Sequence, residues 1–157
     1  MRIGLGYDIH RFSAGRKLFI GGIEIPSSKG LLGHSDADVL IHALCDALLG
    51  AMGQADIGHH FPDTDQKYKD VSSLVLLEQV RFLLEKEGYE IENIDTVVLL
   101  EAPKIAPYKE KIKECLSACL KMGQSRISIK ATTHEGVGEI GRGEAAAAHA
   151  VVLIKKK

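Results

Sequence analysis

The sequence predicts an α/β (α+β) fold: a mixed sheet of about four main strands, three helices packed over one face of that sheet, and a small hairpin. Apolar residues recur at helical spacing in three segments, and β-branched and leucine residues dominate other segments. The 157 residues contain no repeat, low-complexity run or linker, so we expect one domain spanning 1–157. A hydrophobic content of 45% and a charged content of 26% are typical of a globular domain that buries its own core.

The elements in the first part of the chain are predicted from strand patterns and turn residues. Residues 2–10 have a strand pattern, and residues 17–25 form an extended hairpin that turns at residues 21–22, both glycine. The most apolar stretch of the chain lies within residues 33–53 and predicts the first helix. The segment 56–65 is rich in Asp, Gly and Pro, which indicates a loop.

The second part of the chain alternates helices and strands. Residues 71–87 carry apolar residues at helical spacing and stop at Gly88, which predicts the second helix. The continuously apolar residues 94–101 form a strand, and a turn with two prolines starts a third helix that ends near residues 122–123. The remaining predicted elements are a strand at 126–132, a glycine-rich loop at 136–143, and a small-residue strand at 145–154 before a solvated lysine tail.

The ends of the first helix carry recognisable capping residues. Ser35 or Asp36 can accept hydrogen bonds from its free backbone N–H groups, and the acidic charge suits the positive end of the helix dipole. Gly50 or Gly53 can end it. Between these ends the helix is apolar on nearly every side, so we expect it to be buried on most sides.

One polar stripe interrupts this apolar helix. Asp38, His42 and Asp46 recur every fourth residue and therefore lie on one face. Buried charge is costly unless it is paired or bound to a metal. Two interpretations follow: a core histidine held between two carboxylates, or a metal ligand, His42, whose ring is oriented by Asp46 or Asp38.

The charge and cysteine content exclude several classes of function. The formal net charge of −1 gives no electrostatic reason to expect binding to nucleic acid or to an anionic membrane. No segment approaches the length of a membrane span, and the start of the chain lacks a signal or transit pattern, so we expect a cytoplasmic protein. Cys45, Cys115 and Cys119 fit no disulfide framework, and we interpret Cys115 and Cys119 as small buried apolar residues rather than metal ligands.

A carboxylate and a histidine on the first predicted strand form a candidate metal site with the helix. Asp8 and His10 are separated by one residue, so their side chains point to the same face. Taken alone, the pair favours a solvent-facing polar face. Together with His42 it forms the two-histidine, one-carboxylate set common in catalytic zinc sites. This hypothesis requires that the strand and the helix meet in the fold.

Several loop motifs carry groups that bind phosphate. Lys104 lies between two prolines, in a turn stiff enough to hold a cation in place. Thr132 and Thr133 lie at the end of a predicted strand, where hydroxyl and N–H groups often bind phosphate, and Glu135 could hold a hard cation such as magnesium. Arg142 is flanked by glycines, which allows close approach to an oxyanion. Each motif alone is also typical of a plain polar turn, but together they favour a phosphate ester or diphosphate substrate.

Many collinear motifs give the chain a resemblance that runs almost from end to end. The motifs are Arg2-Ile-Gly-x-Gly-x-Asp8-x-His10, Gly30-Leu-Leu-x-His34-Ser35-Asp36-x-Asp38, His42-Ala-Leu-x-Asp46-Ala-Leu-Leu-Gly50, Asp56-Ile-Gly58, Phe61-Pro-Asp-Thr-Asp65, Ala102-Pro-Lys104, Lys130-Ala-Thr-Thr133 and Gly141-Arg-Gly-Glu144. In these motifs the chain resembles the 2-C-methyl-D-erythritol 2,4-cyclodiphosphate synthase family of the non-mevalonate isoprenoid route.

The resemblance implies an enzyme that closes a ring. The 2-phosphate of 4-diphosphocytidyl-2-C-methyl-D-erythritol 2-phosphate would attack the β-phosphorus of the same molecule, and cytidine monophosphate (CMP) would leave. Zinc ligation by Asp8, His10 and His42 is implied. So is a Mg²⁺ or Mn²⁺ ion that bridges the substrate diphosphate and contacts Glu135.

The resemblance also implies catalytic and substrate-binding positions. His34 and Thr133 are the implied transition-state stabilisers, with Ser35 beside His34. The implied substrate contacts are Asp8, Ile9, His10, His34, Ser35, Asp56, Ile57, Gly58, Phe61, Pro62, Asp63, Thr64, Asp65, Leu100, Glu101, Ala102, Pro103, Lys104, Ile105, Ala106, Thr132, Thr133, His134, Glu135 and Arg142.

Members of the family that this chain resembles are homotrimers with active sites between subunits. The chain departs from some members at two positions. Glu139 replaces an aromatic residue, so a stacking contact is lost there. His149 replaces a glutamate near the trimer axis, so we do not transfer binding of an isoprenoid diphosphate on that axis. His59 and His60 are interpreted as solvated loop residues, and a role for His134 beyond substrate contact stays open.

Two rival functions use the same residues. A zinc phosphohydrolase would bring water, instead of an internal phosphate, to the phosphorus, and its product would be an open chain. A non-catalytic metal- or nucleotide-binding module would bind zinc and a cytidine nucleotide without turnover. The nearly complete motif set argues against the binding module, whereas the open-chain product and uptake of oxygen from labelled water distinguish the phosphohydrolase from the cyclising enzyme.

Overall fold

A computed structural model describes all 157 residues and shows a five-stranded mixed sheet with a separate hairpin. The strands are β1 (Arg2–Ala14), β2 (Leu18–Ile20), β3 (Ile23–Ile25), β4 (Lys29–Leu31), β5 (Tyr89–Leu99), β6 (Ile127–Thr132) and β7 (Ala145–Lys156). The helices are α1 (Val39–Met52), α2 (Ile57–His60), α3 (Ser73–Lys86), α4 (Lys109–Leu120) and α5 (Gly138–Gly141).

The strand order of the main sheet is β4-β1-β7-β5-β6, and β2 pairs with β3 outside it. Neighbouring strands are antiparallel except β5 and β6, which are parallel. The predicted mixed sheet and hairpin are therefore confirmed. The sheet has one strand more than expected because Lys29–Leu31 pairs with the end of β1.

The three long helices lie on one face of the sheet, as predicted. Helix α1 packs on β1 and β7, α3 packs on α1 and β5, and α4 packs on β6 and α3. The opposite face is uncovered and apolar, and it exposes Ile3, Leu5, Tyr7, Ile9 and Val151. None of the helices combines the length and the apolar character needed to cross a membrane.

Two glycines let α1 approach β1 closely. A Cβ atom added at Gly4 would lie 1.8 Å from the carbonyl oxygen of Ala47, and one added at Gly6 would lie 1.8 Å from that of Ala43. Side chains alternate along a strand, so Asp8 follows these glycines on the helix-facing side. The same packing that buries α1 therefore brings the polar end of β1 against it.

The first helix is capped by a residue other than the two predicted. Its N-cap is Asp38, and neither Ser35 nor Asp36 takes that role. The Asp38 carboxylate accepts N–H groups from Leu40 and Ile41, and also from the glycine pair at residues 21–22 in the hairpin, at 2.9 and 2.7 Å. One buried carboxylate thus starts the helix and fastens the hairpin to it. The helix ends at Gly53, whose φ of +78° is left-handed.

Several boundaries differ from the prediction because strand pairing extends beyond the local pattern. Strand β1 continues to Ala14, and β5 begins at Tyr89, where it pairs with Lys156. The first two lysines of the predicted solvated tail are consequently part of β7. Two segments predicted as loops each contain a short helix, α2 and α5.

The cysteines are free thiols, and the two predicted to be buried are only partly so. Cys45 is buried in α1, whereas Cys115 and Cys119 on α4 are half-buried. Burial raises the pKa of Cys119 to about 11. None of the three belongs to the cluster of Asp8, His10 and His42.

Candidate metal centre and active site

Strand β1 and helix α1 bring Asp8, His10 and His42 together. The Oδ2 atom of Asp8 lies 2.9 Å from Nε2 of His10 and 3.0 Å from Nδ1 of His42. The two imidazole nitrogens are 3.2 Å apart. The predicted meeting of strand and helix is confirmed, and the three side chains form a cluster able to hold a metal ion.

The donor set and its spacing fit zinc. Two histidines and one carboxylate are a common protein ligand set for catalytic zinc, with the fourth position left open. Bonds of about 2.0–2.2 Å in a tetrahedral site place ligand atoms about 3.3–3.6 Å apart. The observed separations of 2.9–3.2 Å are slightly shorter, so small side-chain shifts would admit the ion.

The tautomer of His10 is set by a backbone carbonyl. Its Nδ1 atom lies 2.9 Å from the carbonyl oxygen of Leu32. A carbonyl only accepts, so Nδ1–H is the donor and the lone pair of a neutral ring lies on Nε2. That lone pair is on the atom that faces Asp8 and His42.

The cluster is electrostatically coupled. Burial alone would raise the pKa of Asp8, but hydrogen bonds and charge interactions with His10 and His42 outweigh it and hold that pKa well below its usual range. Burial likewise works against a charged His42, yet its hydrogen bond to Asp8 and the nearby charges of Asp8, Asp38 and Asp36 raise its pKa. The pocket therefore favours positive charge beside the Asp8 carboxylate.

Neither carboxylate of the predicted stripe orients the ring of His42. Both carboxylate oxygens of Asp38 accept hydrogen bonds from backbone N–H groups. Oδ1 of Asp46 accepts the N–H of Ile57 at 2.7 Å. The Nε2 atom of His42 instead contacts Oγ of Ser73 at 2.9 Å and Oγ of Ser35 at 3.2 Å. Sequence reasoning missed Ser73, because a serine near a helix start is indistinguishable from an ordinary capping residue.

We expect Asp46→Asn to leave zinc affinity nearly intact. An asparagine retains the oxygen that accepts the Ile57 N–H, and the change removes no contact to His42. A residue that orients a metal ligand typically costs ten- to a hundred-fold in affinity when it is changed. Zinc titration against a competing chelator should show a loss of less than about tenfold; a larger loss would restore Asp46 to the orienting role.

The metal-ligand cluster opens into a cavity of about 280 Å³. His34 lies in its wall, with its Nε2 atom 3.2 Å from the carbonyl oxygen of Asp65. The predicted site residues that line this cavity are His10, His34, Ser35, His42, Ile57, Gly58, Phe61 and Asp63. Asp56, Pro62, Thr64 and Asp65 neighbour these residues in the chain.

A second cavity, of about 190 Å³, lies where the parallel strands β5 and β6 end. Its predicted lining residues are Leu100, Glu101, Pro103, Lys104, Ile105, Ala106, Thr132 and Thr133, with Ala102 in the same turn. Glu101 accepts the His134 N–H at 2.6 Å, and the Thr133 hydroxyl donates to Glu135 at 2.9 Å. The two cavities share no lining residue.

Some predicted site residues lie apart from both cavities. Ile9 and Arg142 line a third cavity of about 660 Å³ together with Glu139. Arg142 pairs there with Glu144 at 2.7 Å. Glu135 is not part of the cluster formed by the three metal ligands.

The two histidines interpreted as loop residues lie on α2. His59 is exposed, as predicted, and His60 is half-buried beside Phe61. Neither belongs to the metal-ligand cluster.

Comparison with known proteins gives a consistent result over the whole chain. Residues 1–155 match the YgbB family. The 2-C-methyl-D-erythritol 2,4-cyclodiphosphate synthase of Chlorobaculum parvum is 59% identical over 157 residues, with all of both chains covered. A solved structure of a CDP complex of IspF from Plasmodium falciparum is similar with a TM-score of 0.88 and 36% identity, covering 99% of this chain and 96% of that one. The bifunctional IspDF of Campylobacter jejuni reaches a TM-score of 0.96 at 40% identity, and the similarity covers 99% of this chain and 42% of that longer protein.

Proposed function

The chain belongs to the YgbB family, and we propose that it is a cyclising enzyme that converts 4-diphosphocytidyl-2-C-methyl-D-erythritol 2-phosphate to 2-C-methyl-D-erythritol 2,4-cyclodiphosphate. The 2-phosphate attacks the β-phosphorus, the bond from that phosphorus to the bridging oxygen breaks, and CMP leaves with the bond's electrons. One observation carries the proposal: Asp8, His10 and His42 converge at a cavity that also holds His34 and Ser35.

The metal centre would hold zinc through Oδ2 of Asp8, Nε2 of His10 and Nδ1 of His42. When bound, zinc would supply positive charge that neutralises the β-phosphate. A Mg²⁺ or Mn²⁺ ion on the substrate diphosphate would take Glu135 as its protein ligand. Two observations support this assignment. The side chain of Glu135 is exposed, and its hydrogen bond to the Thr133 hydroxyl stabilises the turn that presents it.

The residues of the site mainly position the substrate. The attacking group is already a phosphate oxyanion, so the reaction needs no strong general base, and its rate comes from holding two groups of one molecule in contact. His34 has its ring held against the Asp65 carbonyl and lines the metal cavity, where it would contact a phosphate oxygen. Thr133, at the second cavity, would supply a hydroxyl and a backbone N–H to the same developing charge.

The second cavity is the proposed cytidine site. It lies outside the carboxyl ends of two parallel strands, a common place for nucleotide binding. Lys104 offers a cation there, and the turn from Leu100 to Ala106 offers backbone groups for a base and ribose. The CDP complex of the Plasmodium relative supports a cytidine nucleotide as the ligand.

A homotrimer would join the two cavities into one site. The metal cavity and the cytidine cavity are separate within one chain, whereas the substrate must occupy both. The uncovered apolar sheet face, with Ile3 70% and Leu5 69% exposed, provides the surface for association. We therefore infer that sheet faces pack together in a trimer and that each active site forms between subunits; the cytoplasmic location stays a prediction.

We expect Leu5→Glu to dissociate the trimer and to abolish turnover. Burying a carboxylate in an apolar interface costs several kcal/mol unless it is paired. Sedimentation velocity should show a monomer, and the circular dichroism spectrum should equal that of the wild type. As a control, Val75→Glu places the same charge on an exposed position of α3, in the helical layer, and should leave the oligomer unchanged. If Leu5→Glu has the wild-type sedimentation coefficient, the sheet face is not the interface.

Phosphorus NMR of the purified protein with the substrate and Mg²⁺ tests the reaction. Two coupled signals from a cyclic diphosphate, with release of CMP, are expected. Open-chain phosphates that carry ¹⁸O from labelled water would identify a phosphohydrolase instead. Unchanged substrate in a zinc-containing sample would indicate a non-catalytic binding module.

A further inference from the structure

On the side opposite to Asp8, the ring of His42 is held by a chain of hydrogen bonds through two residues that are not metal ligands. Its Nε2 atom lies 2.9 Å from Oγ of Ser73, the first residue of α3. Oγ of Ser73 in turn donates to Oδ1 of Asp36. Ser73 is completely buried. We propose that Ser73 and Asp36 are positioning residues that orient His42 for metal binding, an inference that rests on the proposed zinc centre.

The direction of each hydrogen bond follows from the acceptor at the end of the chain. A carboxylate can only accept, so the hydroxyl of Ser73 donates to Asp36. The oxygen of Ser73 is then free to accept, and Nε2 of His42 donates to it. A neutral ring with its proton on Nε2 has its lone pair on Nδ1, the atom that faces Asp8 and His10. This relay of hydrogen bonds, from His42 through Ser73 to Asp36, thus selects the tautomer that can bind the metal.

A second hydroxyl competes for the same ring nitrogen. Oγ of Ser35 lies 3.2 Å from Nε2 of His42 and accepts the N–H of Ala37. Its own proton is not committed to any carboxylate, so this hydroxyl can turn and donate to Nε2. That arrangement would move the ring proton to Nδ1 and block the ligand atom. Ser73 lies closer, and its proton is directed to Asp36, so the productive tautomer prevails.

The loops around Ser73 are held independently of its hydroxyl. The backbone N–H of Ser73 bonds to Oδ2 of Asp36 at 2.9 Å, and the N–H of Asp36 bonds to the carbonyl of Val71 at 3.2 Å. The N–H of Asp70 bonds to the carbonyl of His34 at 2.8 Å. A Ser73→Ala variant keeps all three contacts and removes only the relay to His42.

The experiment measures zinc affinity by competition with a chromophoric chelator. Ser73→Ala should lose about ten- to a hundred-fold in affinity. Asp36→Asn, which replaces the carboxylate by a neutral group of the same shape, should shift affinity in the same direction. Ser72→Ala is the matched control: Ser72 caps α3 by accepting the Leu74 N–H at 3.4 Å and does not touch His42, so its zinc affinity should equal that of the wild type.

An NMR readout tests the hydrogen bond itself. In the zinc-loaded wild type the Nε2–H proton of His42 should be protected from exchange, and in Ser73→Ala it should exchange faster and shift upfield. If wild-type protein binds zinc but Ser73→Ala and Asp36→Asn bind it equally well, the positioning role is overturned and the proposed function is untouched. A wild type that binds no zinc would instead refute the metal centre.

Discussion

His42→Ala is expected to abolish zinc binding and turnover while the protein stays folded. The substitution removes one of three donor atoms, and the two that remain, on Asp8 and His10, are paired with each other at 2.9 Å. The lost ring lies beside an open cavity, so water can enter the space and solvate Ser73 and Ser35. The effect on the fold should therefore be small compared with the effect on the site.

Metal content by mass spectrometry after dialysis, together with the NMR assay of turnover, checks this expectation. His59→Ala is the matched control, because His59 is exposed and is not part of the cluster. It should retain both zinc and activity. Full activity of a zinc-free His42→Ala protein would end the assignment of these residues as a catalytic metal centre.

Gly6→Ala is expected to destabilise the protein more than any exposed substitution. The new methyl group would lie 1.8 Å from the Ala43 carbonyl oxygen and 2.8 Å from the Ala47 nitrogen. Both are backbone atoms of α1, so no side-chain rotation can relieve the clash, and helix and sheet must separate. We expect a loss of at least about 3 kcal/mol in the free energy of unfolding, at or beyond the upper end of typical overpacking.

Urea unfolding at a fixed protein concentration measures this loss. A second glycine provides the control: Gly50 is an exposed residue of α1 with no atom within 4 Å of an added Cβ. Gly50→Ala should raise stability by about 0.5–1 kcal/mol through helix propensity alone. Zinc affinity of Gly6→Ala should also fall, because moving β1 separates Asp8 from His42. An unfolding midpoint equal to that of the wild type would show that the strand and helix are not packed as described.

The local sequence pattern was sufficient to predict most of the helices and strands. The apolar run of α1, the helical spacing in α3 and the glycine turn of the hairpin each act within a few residues of the chain, and each was predicted correctly. Strand pairing acts over longer distances. The start of β5 and the end of β7 depend on each other, since Tyr89 pairs with Lys156, and neither boundary has a local signal.

The residue types and their spacing were enough to indicate the chemistry available to this protein. Two histidines and a carboxylate on predicted regular elements indicated zinc, and the loop motifs indicated a phosphate substrate. Which of these atoms meet depends on how the helices and strands pack. Asp38 and Asp46 share a helix face with His42, yet each hydrogen bonds nearby backbone N–H groups, whereas the ring is held by Ser73, 31 residues further along the chain. A hydrogen bond forms with whichever complementary group lies within about 3 Å, and that distance is set by the packing of α1 against β1 and α3 rather than by any spacing in the sequence.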